Sequence, residues 1–185
     1  MSLSKKLNNF IKKYESNFVS ILKKIQKKDI LNLCNQILDV KKKKSKIMIF
    51  GNGAGASIAS HFANDLTNTS GIRAMSYDNT AQITCLSNDY LFQNWVKKII
   101  NFYANNNDLV ILLSASGNSK NMINAAKFCK KKKINYFSIT GFKKQNKLNL
   151  NSSNKIWINS LSYNYVEMSQ LFILLSIVDF FNKNN

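Results

Sequence analysis

One histidine and nine carboxylates are all this chain offers for proton transfer or metal binding, so their spacing is informative. His61 and Asp65 stand four residues apart in a segment with helical spacing, and on a helix such a pair shares one face. Glu167, one of two glutamates, sits where the nearly apolar stretch Val166 to Phe181 begins. An imidazole and two carboxylates can hold a divalent ion with one coordination position open, or divide the work of base and electrophile. His61, Asp65 and Glu167 are therefore the candidate catalytic residues and, as a set, the candidate metal ligands. Structural roles compete: His61 can cap or pack in its helix, Asp65 can be solvated, and Glu167 can answer the helix dipole.

A second group of residues favours anions. Ser114-Ala115-Ser116-Gly117-Asn118-Ser119 follows the apolar run Leu109 to Leu113 and precedes a helical pattern. It brings three hydroxyls, Asn118 and several amides to a helix start, where the positive end of the dipole attracts a phosphate. N-capping by Ser116 or Ser119 is the plainer reading. Gly51-Asn52-Gly53 ends the apolar tetrad Ile47 to Phe50, and glycine there lets backbone approach a ligand closely. Neither GxxxxGK[ST] nor GxGxxG occurs, so readings as a nucleoside-triphosphate or dinucleotide site are weak.

The elements that must hold these groups follow from hydrophobic period. Apolar residues from Leu3 to about Val40 recur at helical spacing and break near Lys27-Lys28-Asp29, which predicts a helical pair with a wide apolar face suited to an oligomer interface or, equally, to packing on its own domain. Short apolar runs at 47–50 and 109–113 read as buried parallel strands, each followed by a small-polar loop and then a helix, at 54–66 and 120–131. Further strands are expected at 73–77, 136–140 and 155–158, and helices at 90–103 and 166–181. Lys143 to Asn154 reads as a polar loop. Strands alternating with helices in this way predict an α/β doubly wound domain, about five parallel strands with helices on both faces. At 185 residues the chain is long enough for one such domain, residues 1–185.

Composition narrows the classes. The net charge of +18 invites a polyanion partner, but Arg73 is the only arginine, and Arg is the residue best shaped to grip bases and phosphates. Specific nucleic-acid binding is not expected. The longest strongly apolar run, Leu171 to Val178, is short for a membrane span, and no signal-peptide pattern opens the chain; a cytoplasmic protein is expected. Cys34, Cys85 and Cys129 lack any CxxC pairing and read as buried thiols.

Taken together, Gly51-Asn52-Gly53, His61-Phe62-Ala63, Leu66, Asn88-Asp89, the serine loop and Thr140-Gly141 resemble the sugar isomerase (SIS) domain family, in particular its phosphoheptose isomerase subgroup, over about residues 5 to 181. The resemblance implies a homotetramer that holds a sugar phosphate, with Ser114, Ser116 and Ser119 on the phosphate, Asn52 and Gly53 in the first loop, and Asp89 contacting substrate. Zinc is the cofactor it suggests. The chain also departs from the family pattern: Ala54-Gly55 replaces Gly-Ser, Ala115 a threonine, and Asp65 a glutamate. Glu167 stands at a glutamine and Leu175 at the second histidine. Aldose–ketose interconversion needs a base to take the proton beside the carbonyl and a group to stabilise the enediolate. The expected function is a sugar-phosphate isomerase with an altered active site. A non-catalytic sugar-phosphate-binding or replication-initiator-associating adaptor, and a generic polyanion binder, are the alternatives.

Overall fold

The computed structural model describes residues 1–183. Two helices, α1 (Leu3–Lys24) and α2 (Lys27–Lys42), lead into an alternation of strand and helix. In order these are β1 (Ile47–Phe50), α3 (Ala54–Ser70), β2 (Ala74–Ser76), α4 (Thr80–Tyr90), a 3-10 turn (Phe92–Asn94), α5 (Trp95–Tyr103), β3 (Leu109–Ser114), α6 (Lys120–Lys132), β4 (Asn135–Thr140), α7 (Lys147–Asn151), β5 (Lys155–Trp157) and α8 (Tyr163–Lys183). All strand pairs are parallel and the sheet order is β2-β1-β3-β4-β5. This is the predicted doubly wound sheet. Its strand order reverses between β1 and β3, and at that switch point a crevice opens at the carboxyl ends of the strands.

Alternate strand residues feed two cores, as the two-residue side-chain period requires. Ile47, Ile49, Leu109, Ile111, Leu113, Phe137 and Ile139 pack with α2, α3 and α8. Met48, Phe50, Val110, Leu112 and Tyr136 pack with Trp95, Ile99 and Met122 of α5 and α6. Both faces being covered explains why β1, and β3 as far as Leu113, are apolar.

α8 meets the length and hydropathy of a membrane-crossing helix, with a mean hydropathy of 1.2 over an 18-residue window, although its longest apolar run had read as too short. Its apolar residues Val166, Ile173, Leu174, Ile177, Val178 and Phe181 are buried in the core shared with α3. Packing accounts for that stripe, while Phe172 and Phe180 are half exposed.

Between the strand expected at 73–77 and the helix expected at 90–103 the chain forms α4, whose weakly amphipathic sequence buries only Leu86. Its start was nonetheless signalled by Asn79, whose side chain accepts from the Gln82 amide at 3.1 Å. The supposed polar loop at 143–154 holds α7, with Asn146, Leu148, Asn149 and Ser152 all buried. Asp108 is 1% exposed and pairs with Lys46 while accepting from the Asn105 amide at 2.7 Å.

Nor do the cysteines form one class: Cys34 and Cys129 are buried and Cys85 is exposed. Burial pushes the Cys34 thiol up, and the Cys129 thiol from 9.0 to about 12. A maleimide at neutral pH is therefore expected to modify Cys85 alone in the native protein, as mass spectrometry would show. The neutral buried thiols stabilise the fold fully below pH 9, where the unfolded thiols are also protonated. That contribution is lost as pH rises from 9 towards 12, so melting temperature should fall across this window and fall less in Cys129→Ser.

Candidate functional site

The loops after β1 and β3 meet at the switch point through two amides. Asn52 Nδ2 donates to Asn121 Oδ1 at 3.1 Å, and Asn121 Nδ2 returns a bond to Asn52 Oδ1 at 2.8 Å. Asn121 is 1% exposed, and its Oδ1 also accepts the Met122 amide. This reciprocal pair ties the first loop to the opening of α6. Residue 121 reads in sequence as a polar helical position; its side-chain partner Asn52 lies 69 residues away, so no local pattern announces it.

Two clefts flank the pair and share Asn52 and Ser119. The smaller, about 110 Å³, is lined by Asn52, Gly55, Leu113, Ser114, Ala115, Ser116, Ser119 and, from α8, Tyr163, Glu167 and Gln170. The larger, about 490 Å³, runs past Lys120 and Asn121 to Leu91, Phe92 and Gln93.

Within the serine loop, part of the hydrogen-bonding capacity is spent on the loop's own shape. The Gly117 amide bonds Ser114 Oγ at 3.1 Å, the Asn118 amide bonds Ser116 Oγ at 3.2 Å, and Ser114 and Ser119 share a bond at 3.2 Å. Loop amides 117 and 118 are thus not available to a ligand. A hydroxyl that accepts still has its proton to donate, so Ser116 can offer an O–H to an anion. The opening turn of α6 adds N–H groups that have no intrahelical acceptor. These groups suit a phosphate oxygen.

A buttress fixes this loop from behind. Asn146, 3% exposed, donates to Thr140 Oγ1, Gly141 O and Lys143 O and accepts the Asn149 amide at 2.8 Å. Leu148 N donates to Gly117 O at 2.9 Å, and Lys147 N to Asn118 Oδ1 at 3.3 Å. Asn118, with its amide group turned to Ser116 O and Lys147, shapes the loop and lines neither cleft.

The remaining candidates scatter. His61 Nε2 and Asp65 Oδ2 are 2.9 Å apart, with their side chains 53% and 40% exposed. α3 buries Ile58, Ala59, Phe62, Ala63 and Leu66 and so turns His61 and Asp65 to its outer side. Glu167 is half-buried, lines the smaller cleft and makes no hydrogen bond or ion pair with any described residue. The expected metal trio of His61, Asp65 and Glu167 is therefore not assembled: among the described residues no three His, Cys, Asp or Glu side chains are placed to hold an ion. Zinc, which takes four ligands in a structural site or three in a catalytic one, lacks a fitting set within one chain. Glu167 also lies a full turn inside α8, since that helix starts at Tyr163 and carries no acid in its first turn. Gly53 is exposed at the start of α3, with φ 55, and lines neither cleft. Asp89 lies exposed in the last turn of α4, accepting from Asn88 Nδ2 at 3.1 Å, and lines neither cleft. Tyr163, Gln170 and Asn121 are site residues that the sequence did not single out; Gln170 spends its amide on Ile139 O at 2.9 Å.

A doubly wound sheet with a hydroxyl-lined, anion-suited crevice at its switch point defines an α/β domain with a candidate anion site. The SIS domain family model matches residues 13–141, and the chain belongs to that family. Similar proteins include phosphoheptose isomerases. That of Glaesserella parasuis is 33% identical over 140 residues, covering 73% of this chain and 68% of the relative. That of Campylobacter concisus is 34% identical over 116 residues, covering 58% of this chain and 60% of the relative. Among solved structures, a phosphoheptose isomerase from Francisella tularensis superposes with a TM-score of 0.86 at 19% identity, over 99% of this chain and all of that one.

Proposed function

We propose that the protein binds a sugar phosphate of the sedoheptulose 7-phosphate kind, its phosphate at Ser116, Ser119 and the opening turn of α6, and interconverts its ketose and aldose forms. The observation that carries this reading is one small cleft holding both the serine hydroxyls and an unpartnered carboxylate, Glu167. In that chemistry a base takes the proton from the carbon beside the carbonyl and returns it to the neighbouring carbon, while donors hold the enediolate oxygen. Glu167 is the base of this reading, and the Asn52 amide a donor at the same cleft.

His61 and Asp65 enter through assembly. α1 buries none of its residues, and Leu3, Leu7, Phe10 and Ile11 are more than half exposed. In this reading further copies cover that face and the outer side of α3, as a homotetramer of cytoplasmic subunits. Any zinc would need ligands from two copies, and no step above depends on one. The alternative, a binding protein without turnover, is favoured by Leu175 in place of a second histidine and by the separation of Glu167 from His61–Asp65.

The test combines binding and turnover. Saturating sedoheptulose 7-phosphate should raise the melting temperature by several degrees, since occupancy at 100 times Kd contributes about 2.7 kcal/mol. Ser116→Ala/Ser119→Ala should erase that shift. NMR should detect aldose formed from the ketose, measured with added zinc and with a chelator. A thermal shift without conversion in either condition selects the binding-protein reading. No shift in the wild type overturns the phosphate site itself.

A further inference from the structure

We propose that Leu91 is a specificity-determining residue: its strained backbone holds the side chain at the mouth of the larger cleft, where it covers the part of the sugar phosphate's carbon chain that extends past Asn52 and Ser119, out of the smaller cleft that holds the reacting carbons. The inference rests on the reading of that crevice given above.

Leu91 has φ 68 and ψ 143, a region that residues other than glycine rarely enter and that persists only when the surroundings impose it. The surroundings are identifiable. Asn94 N donates to Leu91 O at 2.9 Å and Asn94 Nδ2 to Tyr90 O at 3.0 Å. Asn124 of α6 then donates to Gln93 O at 2.9 Å and to Asn94 Oδ1 at 3.2 Å. The Lys98 ammonium sits 3.7 Å over the Tyr90 ring. The turn is thereby locked to the same helix whose first turn carries Lys120 and Asn121.

Burial within the chain does not compensate the strain, because Leu91 is 62% exposed and Phe92 56%. Both side chains nevertheless line the cleft whose other wall is Asn52, Ser119, Lys120 and Asn121. Ligand sites combine apolar lining with a few convergent polar groups. A phosphorylated sugar matches that division: its hydroxyls face the amides, and its C–H surface faces Leu91.

The test measures binding of sedoheptulose 7-phosphate and of inorganic phosphate to wild type, Leu91→Ala and Leu91→Gly by calorimetry, with melting curves and size-exclusion chromatography. Both variants should bind the sugar phosphate roughly tenfold more weakly and inorganic phosphate as the wild type does, because the phosphate contacts lie on the serine side. L91G, freed of the strain, should melt about 2 to 4 °C above L91A. Wild-type sugar-phosphate affinity in either variant, equal losses for both ligands, no melting difference, or a changed oligomer size (a partner copy then covering Leu91) would each overturn the assignment. Should the wild type bind neither ligand, the reading of the site falls; should it bind while the variants are unchanged, only the role of Leu91 falls.

Discussion

Gly117→Ala should lower the melting temperature by roughly 10 °C and abolish sugar-phosphate binding. Gly117 sits at φ +65, and a Cβ built there lies 1.9 Å from Asn146 Oδ1. The left-handed conformation alone costs a non-glycine residue about 1 to 2 kcal/mol. Asn146 cannot move aside cheaply, because it is 3% exposed and its amide serves Thr140, Gly141, Lys143 and Asn149. One buried polar group left unsatisfied costs about 1 to 3 kcal/mol, which brings the total to about 2 to 5 kcal/mol. In a domain of this size each kcal/mol moves the midpoint by about 2 to 4 °C. The control is Gly55→Ala. There the nearest atom to a new Cβ is Leu113 Cβ at 3.8 Å and the residue is helical, so stability should hold or rise slightly. Differential scanning calorimetry of the two variants decides it. A G117A protein as stable as G55A would mean that the buttress does not hold the loop.

Turnover should drop by about 10² to 10⁴ in Glu167→Gln if its carboxylate moves the proton. The amide is isosteric and cannot accept that proton at neutral pH. Stability should change little, by about 2 °C or less. The carboxylate has no partner among the described residues, and it stands a turn inside α8, where the helix dipole has faded. That separation of effects matters because glutamine is the residue the family pattern places here. An E167Q protein with wild-type turnover would move the base to His61–Asp65 and leave Glu167 as cleft lining. Sugar-phosphate binding by calorimetry, preserved alongside lost turnover, would distinguish a missing base from a damaged site.

The strands were legible because β1 and β3 are buried on both sides and read as unbroken apolar runs, and glycine or small polar residues mark where each ends. The serine loop was legible for the same reason, sitting between an apolar run and a helical pattern. α4 and α7 were not. The first buries a single leucine, and the second owes its burial to Asn146 and Leu148 packing behind Gly117, contacts that no local period records. The His61–Asp65 pairing was readable from helical geometry, whereas its separation from Glu167 depended on which side of α3 faces the core.

The amino-acid order by itself determined the doubly wound architecture, the phosphate-suited loop and the short roster of groups able to do chemistry, because each is signalled by local hydrophobic period, by the small residues that end strands, or by residue type alone. Tertiary structure alone decided which of those groups share a cleft. Asn52 reaches Asn121 across 69 residues, Glu167 joins the serines from the last helix, and His61 with Asp65 is turned away. Side-chain direction at long range is set by how whole helices bury their apolar stripes, and that is a property of the packed domain.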